Sequence, residues 1–475
     1  MRPQDPIPVL IWTLSFTFLI FMRHKAFWDV DEAEYLVNIY NGDRSSLFFG
    51  RAGYVYFYHW IWDLCRFLGM SDFHSSFRTV ISTINSGFSA VAVTSFYWIL
   101  KWLGTRSAFA VTAALGTVSH FAFIDTGTSG HGDMMMLGLI SLSVVLFVRA
   151  HQNEKRSLIP SALLFGWALA VREPTIFFLP AYLIAAWTSA NRRPWYAYAL
   201  AASLSFLIFA APVLWIFWHD PIRYAYQIVR FHVYNNFQTT IPLFERLAKV
   251  LEFHFLRPGW LALLLLPGFF VAHFRSSWVG LRPVQSATLA ILLLLPGFLT
   301  IVITNDHILT YGRYFIPESA LWAFYLSCTV YVVASWMKWP RLAVVLILPL
   351  LFMHWRDKKV EWQQVDQTVA TLETDFEFLR RQDSQKMVLI SATANYYRYR
   401  MRTGGKRIQV IGSGWSWPGS ELPVRVKRLL HEGREVYLQT SGPWPPDEER
   451  DAKKLLSLYP SNPVGGSIVQ ILLPD

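Results

Sequence analysis

The sequence predicts a polytopic α-helical membrane protein that ends in a small α/β domain. Three observations carry this. Apolar segments recur along the first 355 residues, cationic and acidic loops alternate between them, and the composition turns polar after Trp355. Of the 475 residues, 53% are hydrophobic and only 16% charged, with a mean hydropathy of +0.30. A bilayer core takes about 20 mostly apolar residues per helix. Segments near 8–22, 78–100, 107–124, 133–149, 157–171, 174–190, 195–217, 259–274, 284–304, 314–336 and 340–355 meet or approach that length, which makes eleven spans. The pair 157–171 and 174–190 is broken by Arg172, Glu173 and Pro174, and reads either as two spans or as one bent hairpin.

The loops set the orientation, because cations mark the cytoplasmic side. One set of loops holds Lys101, Arg106, Arg149, Lys155, Arg156, Arg192, Arg193, Arg275, Arg282, Lys338 and Arg341. The opposite set holds the acids from Asp29 to Glu34, then Asp125, Asp133, Glu173, Asp220, Asp306 and Glu318. The N-terminus is expected in the cytoplasm and the acidic loops and C-terminus outside. Arg23, His24 and Lys25 break the rule after the first span. The net charge of +11 then signals topology and contact with anionic headgroups of membrane lipids, not a nucleic-acid partner. Cys65 falls in an outward loop and Cys328 inside a span, so no disulfide framework is expected. The first 22 residues lack a small-residue cleavage site, and no Asn-x-Ser/Thr acceptor occurs, which points to a bacterial plasma (inner) membrane.

Two outward regions interrupt the serpentine, at 23–77 and 218–258. Within the first, the Tyr- and Trp-rich stretch 54–68 suits a helix lying in the headgroup layer. The expected domain division is a transmembrane domain over 1–355 and a soluble extracytoplasmic α/β domain over 356–475. In the latter, Trp362, Val365, Val369, Leu372, Phe376 and Leu379 follow helical spacing. Apolar runs at 387–391, 408–411, 435–438 and 468–473 read as buried strands, with helices near 422–431 and 447–458 between the later ones. Gly412 and Gly414 follow a strand, but Trp415 and Pro418 come next, which excludes a dinucleotide-binding turn.

Chemistry concentrates where the first span ends. Asp29, Asp31, Glu32 and Glu34 lie within nine residues, between Phe27 and Tyr35. Carboxylates placed so near a span mark function more often than chance. Other ionisable groups sit at span heads on the same side. They are Arg78, His131 with Asp133, Arg172, and Arg313 with Tyr314 ahead of Pro317.

This order of features resembles the membrane glycosyltransferases of the GT-C superfold, in the protein O-mannosyltransferase and aminoarabinose-transferase branch that uses lipid-phosphate sugars. The resemblance runs from residue 1 to about 355 and rests on Asp31 and Glu32 with Tyr35, the helix ending at Phe67 to Gly69, Arg78, Asp133, Arg172 to Pro174, and Arg313, Tyr314 and Pro317. It implies an inverting transfer from a polyprenyl-phosphate sugar donor to a glycan, lipid or protein acceptor. No role is carried onto the C-terminal domain.

Such a reaction needs a lipid-facing groove, a carboxylate to take the acceptor's proton, and cations to hold the departing phosphate. Asp31 is assigned as general base, with Glu32 orienting acceptor or base. Asp29 and Glu34 read as surface charges. Asp133, His131 and Tyr35 form a second acidic wall for the acceptor, the plainer reading of Asp133 being a helix cap. Arg313, Tyr314, Arg172 and Arg78 are the donor-phosphate ligands. The plain alternatives are interfacial anchoring for Arg313 and Tyr314, pairing with Glu173 for Arg172, and pairing with a loop carboxylate for Arg78. Arg230 and His232 are weaker candidates, and Asp306 and His307 read as loop residues. No metal is assigned; His131 and Asp133 alone are short of ligands, although a divalent cation is compatible with the chemistry. A transporter or flippase and a non-catalytic scaffold of glycan assembly are the rival readings. No two-fold internal repeat supports a transporter, and the ionisable groups cluster at one surface.

Overall fold

The computed structural model describes residues 6–23, 30–42, 51–127, 129, 131–152, 155–188, 193–219, 221–222, 241–256, 262–303, 316–382, 385–404, 409–412, 422–440 and 446–473. In chain order the helices are α1 (Ile7–Phe21), α2 (Val30–Asn41), α3 (Ala52–Phe67), α4 (Arg78–Trp102), α5 (Ser107–Val118), α6 (Phe121–Gly127), α7 (Asp133–Gln152), α8 (Leu158–Val171), α9 (Leu179–Thr188) and α10 (Trp195–His219). They continue with α11 (Leu243–Val250), α12 (Ala262–Phe274), α13 (Pro283–Ile303), α14 (Ile316–Trp336), α15 (Leu342–Arg380), α16 (Ala394–Thr403), α17 (Leu422–His431) and α18 (Pro446–Leu458). The strands are β1 (Met387–Ser391), β2 (Gln409–Gly412), β3 (Glu435–Gln439), β4 (Ser461–Gly465) and β5 (Ile468–Ile471).

The chain divides into two compact units. The first comprises residues 1–23, 44–60 and 79–358. Among the described residues of the chain, Phe73–Trp102 (from the preceding turn into α4), Asp133–His151, Trp195–Trp215 and Glu318–Trp336 are long and apolar enough to cross a membrane, with six shorter apolar helices besides. The helices fall within the predicted apolar segments, with one break that the sequence hides and one that it announces. The stretch 107–124 is two helices, α5 and α6, parted at Ser119 and His120. After α8, Arg172 is extended and a 3-10 turn (Glu173–Phe178) leads into α9.

Lipid tails give apolar helices no hydrophobic reason to associate, so small residues and buried hydroxyls hold them together. Ser143 Oγ donates to the Ser161 carbonyl at 2.6 Å and Ser161 Oγ to the Ser143 carbonyl at 2.8 Å, clamping α7 to α8. Ser205 Oγ joins α10 to the Ala162 carbonyl of α8 at 2.8 Å. Thr329 Oγ1 of α14 reaches the Leu264 carbonyl of α12 at 2.6 Å. Gly138 lets α7 approach the α4 backbone, since a Cβ there would lie 2.6 Å from the Phe88 carbonyl oxygen. Large apolar side chains on α10, such as Leu200, Phe206 and Leu214, point outward and are exposed.

The second unit comprises residues 24–43, 61–78 and 359–475. Its sheet runs β2-β1-β3-β5-β4, with β1 parallel to β2 and β3, and β5 antiparallel to β3 and β4. Helices α17 and α18 bury Leu422, Val426, Leu429, Ala452 and Leu455 against Val388, Ile390, Val436 and Leu438. At the carboxyl ends of β1 and β3 a buried polar chain fills the space between strands. Ser391 Oγ donates to Gln439 Oε1 at 2.5 Å, Gln439 Nε2 to the Tyr397 hydroxyl at 3.4 Å, and Tyr397 to Asp375 Oδ2 at 3.1 Å. Asp375 Oδ1 also accepts from the Ser467 amide at 2.8 Å. The boundary expected at 355 falls inside one continuous helix, α15, which carries both the last apolar run and the amphipathic stretch from Trp362.

Candidate active site

In the second unit, α2 buries Glu32, Ala33, Tyr35, Leu36 and Ile39, the spacing of a single helical face. Asp31 precedes Glu32 on the first turn. Glu32 Oε1 accepts from Arg78 Nε at 3.3 Å; the residues are 3% and 9% exposed. A buried carboxylate of this kind persists as a charge only when paired and hydrogen-bonded. Arg78 is delivered by a single π-helical turn, Phe73–Phe77, opened by Asp72, whose side chain accepts from the Ser75 amide. The Ser75 hydrogen bonds hold the Asp72 carboxyl below the usual range. Arg78 thus has a carboxylate partner, the candidate residue Glu32 of α2.

In the first unit, Arg172 Nη2 lies 3.0 Å from Asp133 Oδ1, with both residues 2% exposed. Arg172 has extended backbone (φ −153°, ψ 129°) between α8 and the 3-10 turn, where Pro174 prevents continuation of the helix. The break is fixed locally: the Arg172 amide donates to the Ala168 carbonyl at 2.9 Å, and Thr175 Oγ1 to the same oxygen at 3.0 Å. Asp133 opens α7, where the positive end of the helix dipole favours an anion. Arg172 therefore has Asp133 as its partner, 39 residues back in the chain, and Asp133 Oδ2 has no hydrogen-bond partner among the described residues.

Sequence reasoning missed the groups that hold His131 and Asp133. Asn85, fully buried within α4, donates from Nδ2 to the carbonyls of Ser129 (2.8 Å) and His131 (3.0 Å), and its Oδ1 accepts from the Tyr58 hydroxyl at 2.8 Å. His131 Nδ1 meets Ser129 Oγ at 2.9 Å. Gly132 packs under Tyr54, whose ring would be 3.2 Å from any Cβ. The signal was present: an Asn inside an apolar span is costly without partners, and Tyr54 and Tyr58 share one helical face.

An apolar groove of about 470 Å³ lies between α11, α13 and α14, lined by Leu247, Leu251, Leu294, Phe298 and Ile301 among others. Among the described residues Glu318 is its one ionisable lining residue, and it is 3% exposed. Among the described residues no group of three or more His, Cys, Asp or Glu is arranged to hold a metal. Arg313, Tyr314, Asp29, Arg230, His232, Asp306 and His307 lie outside the described residues. Cys65 and Cys328 are both free thiols.

Residues 71–216 match the family described as dolichyl-phosphate-mannose-protein mannosyltransferase. No curated protein matches the chain by sequence. Among solved structures, ArnT from Cupriavidus metallidurans bound to undecaprenyl phosphate is similar, with a TM-score of 0.60 and 11% identity over 98% of this chain and 99% of that one. Its apo form gives 0.61 and 10% over the same shares. The oligosaccharyltransferase AglB from Archaeoglobus fulgidus, in complex with an inhibitory peptide and a dolichol-phosphate, gives 0.52 and 11% over 96% of this chain and 72% of that one. The chain is thus a polytopic membrane protein whose fold is that of ArnT and AglB, with residues 71–216 matching the mannosyltransferase family model.

Proposed function

We propose that the protein is an inverting glycosyltransferase, moving a sugar from a polyprenyl-phosphate donor to an acceptor hydroxyl at the outer face of the membrane. The observation that carries this is the Glu32–Arg78 pair, a buried carboxylate of the acidic motif on α2 held by a cation from the head of α4. ArnT, whose fold is similar over nearly the whole chain, was solved with undecaprenyl phosphate, which supports a lipid-phosphate donor. The apolar groove beside α14 offers a seat for an isoprenoid tail.

In this reading Asp31 removes the proton from the acceptor hydroxyl as its oxygen attacks C1 of the sugar. The C1–O bond to phosphate breaks, and the phosphate leaves with that electron pair. Arg313 and Tyr314 hold it, and their hydrogen bonds strengthen as its charge grows. Glu32 orients the base, with Arg78 holding Glu32. Asp133, pinned by Arg172, lines the acceptor side with His131 and Tyr35. The loop charges favour an N-terminus in the cytoplasm and the reaction outside, and the lack of an Asn-x-Ser/Thr acceptor favours a bacterial plasma membrane.

The test is direct. Purified protein is incubated with a panel of polyprenyl-phosphate sugars, and released polyprenyl phosphate is measured. Release with one donor supports the reading. No release with any donor, or cysteine labelling that puts positions 31 and 313 in opposite compartments, overturns it.

A further inference from the structure

The second unit joins two parts of the chain far apart in sequence, the acidic segment with its π-helical turn and the C-terminal domain. Helix α16 packs along α2. Its Tyr399 is fully buried, and the hydroxyl lies 2.9 Å from His74 Nδ1, inside the turn that delivers Arg78. With Nδ1 accepting from the phenol, the ring proton sits on Nε2, which faces Glu373 Oε1 at 3.7 Å. Glu373 is held in turn. Its Oε2 accepts from Arg400 Nη2 at 2.6 Å, and its Oε1 accepts from the Tyr396 hydroxyl. The Arg400 guanidinium lies over the Phe376 ring at 4.4 Å.

Aromatic packing completes the arrangement. Phe73 meets Tyr40 of α2 edge-on at 5.1 Å and Trp62 at 4.9 Å, and the Tyr399 ring stands 6.3 Å from Phe73. The π-helical turn is therefore gripped on one side by α2 and on the other by α16. Single π turns carry one residue more than an α turn and persist only where their surroundings hold them. Arg78 follows this turn directly, so the turn's register decides where the guanidinium meets Glu32.

We propose that the C-terminal domain sets the geometry of the Glu32–Arg78 pair, with Tyr399 as the positioning residue that holds His74 and Glu373 and Arg400 bracing both. The domain is then part of the catalytic apparatus without touching the reacting atoms. The kinetic consequence rests on the glycosyl-transfer reading; the structural one does not.

The experiment uses the full chain in detergent micelles, as Tyr399→Phe and Glu373→Gln variants. Each keeps the shape of its side chain and removes a donor or a charge. Hydrogen exchange is followed in peptides covering 30–42 and 73–78, with β1 and β3 as internal references. The expected result is exchange about tenfold faster in 30–42 and 73–78, with the strands unchanged. Unchanged exchange in 30–42, or acceleration spread equally into β1 and β3, overturns the proposal. With a donor that the unaltered protein turns over, Tyr399→Phe is expected to lower kcat about tenfold and leave the donor KM within about twofold. A rise in KM with kcat intact overturns it. If the unaltered protein turns over no donor, the glycosyl-transfer reading fails alone, and the exchange data still decide whether Tyr399 positions the turn.

Discussion

Arg172 and Asp133 form an ion pair 3.0 Å long between the end of one apolar helix and the start of another, with each residue only 2% exposed. Breaking such a pair strands a charge away from water, which costs about 3–5 kcal/mol. Replacing Arg172 with Met is expected to lower the unfolding temperature in detergent sharply, and Asp133→Asn to lower it less, since an amide is easier to leave unpaired. The double variant Asp133→Asn with Arg172→Met is expected to recover part of the loss. Thermal unfolding of all four proteins gives the coupling directly; additive losses would mean that the pair does not act as a unit.

The acidic motif separates chemistry from binding. Asp31→Asn is expected to reduce turnover by about 10²–10⁴, the usual worth of a general base, while leaving the protein folded and able to bind polyprenyl phosphate. Glu32→Gln is expected to lower turnover as well, through Arg78, which then faces a neutral amide. Single-turnover rates beside lipid-phosphate binding check both. Unchanged turnover in Asp31→Asn would mean that Asp31 is not the base.

Two neighbouring glycines should behave oppositely. A Cβ at Gly138 would lie 2.6 Å from the Phe88 carbonyl oxygen, so Gly138→Ala forces α7 away from α4 and is expected to cost about 1–3 kcal/mol. A Cβ at Gly87, within α4, meets nothing within 4 Å. Gly87→Ala is expected to be neutral or to stabilise by about 0.5 kcal/mol through the unfolded chain. Comparing their melting temperatures at equal detergent concentration tests this.

The C-terminal domain is expected to fail in alkali. Burial pushes the phenols of Tyr396, Tyr397 and Tyr399 well above their ordinary value, with Glu373 adding to the shift of Tyr396 and Asp375 to that of Tyr397. The unfolded chain would ionise them near about pH 10. The folded domain keeps their protons longer, so stability is fully present below that pH and falls as pH rises beyond it. A late component of tyrosinate absorbance, following that of the exposed phenols, should then coincide with loss of ellipticity.

Much of the architecture was legible in the sequence because its signals are local. Apolar segments located the helices, and β1 and α17 fall where the runs 387–391 and 422–431 put them. Strand β4 was not legible, since its residues, Ser461 to Gly465, are polar or small and pair only because β5 lies beside them. Helix α16 was hidden for a related reason. Its sequence, rich in Tyr and Arg, has no clear apolar stripe, and its burial depends on α2 and the sheet. The candidate acids and arginines were named from position along the chain, but their pairing was not. Glu32 with Arg78 and Asp133 with Arg172 are contacts between segments that only the tertiary fold brings together.

The chain of side chains from Ser391 to Gln439, Tyr397 and Asp375 has a consequence for what the C-terminal domain can be. Parallel strands diverging on either side of β1 open a crevice at their carboxyl ends, where doubly wound sheets receive nucleotides and other ligands. Here, among the described residues, hydroxyls and an amide of the protein itself link that end of β1 and β3 to α15 and α16, so side chains as well as the backbone ladder brace this end of the sheet.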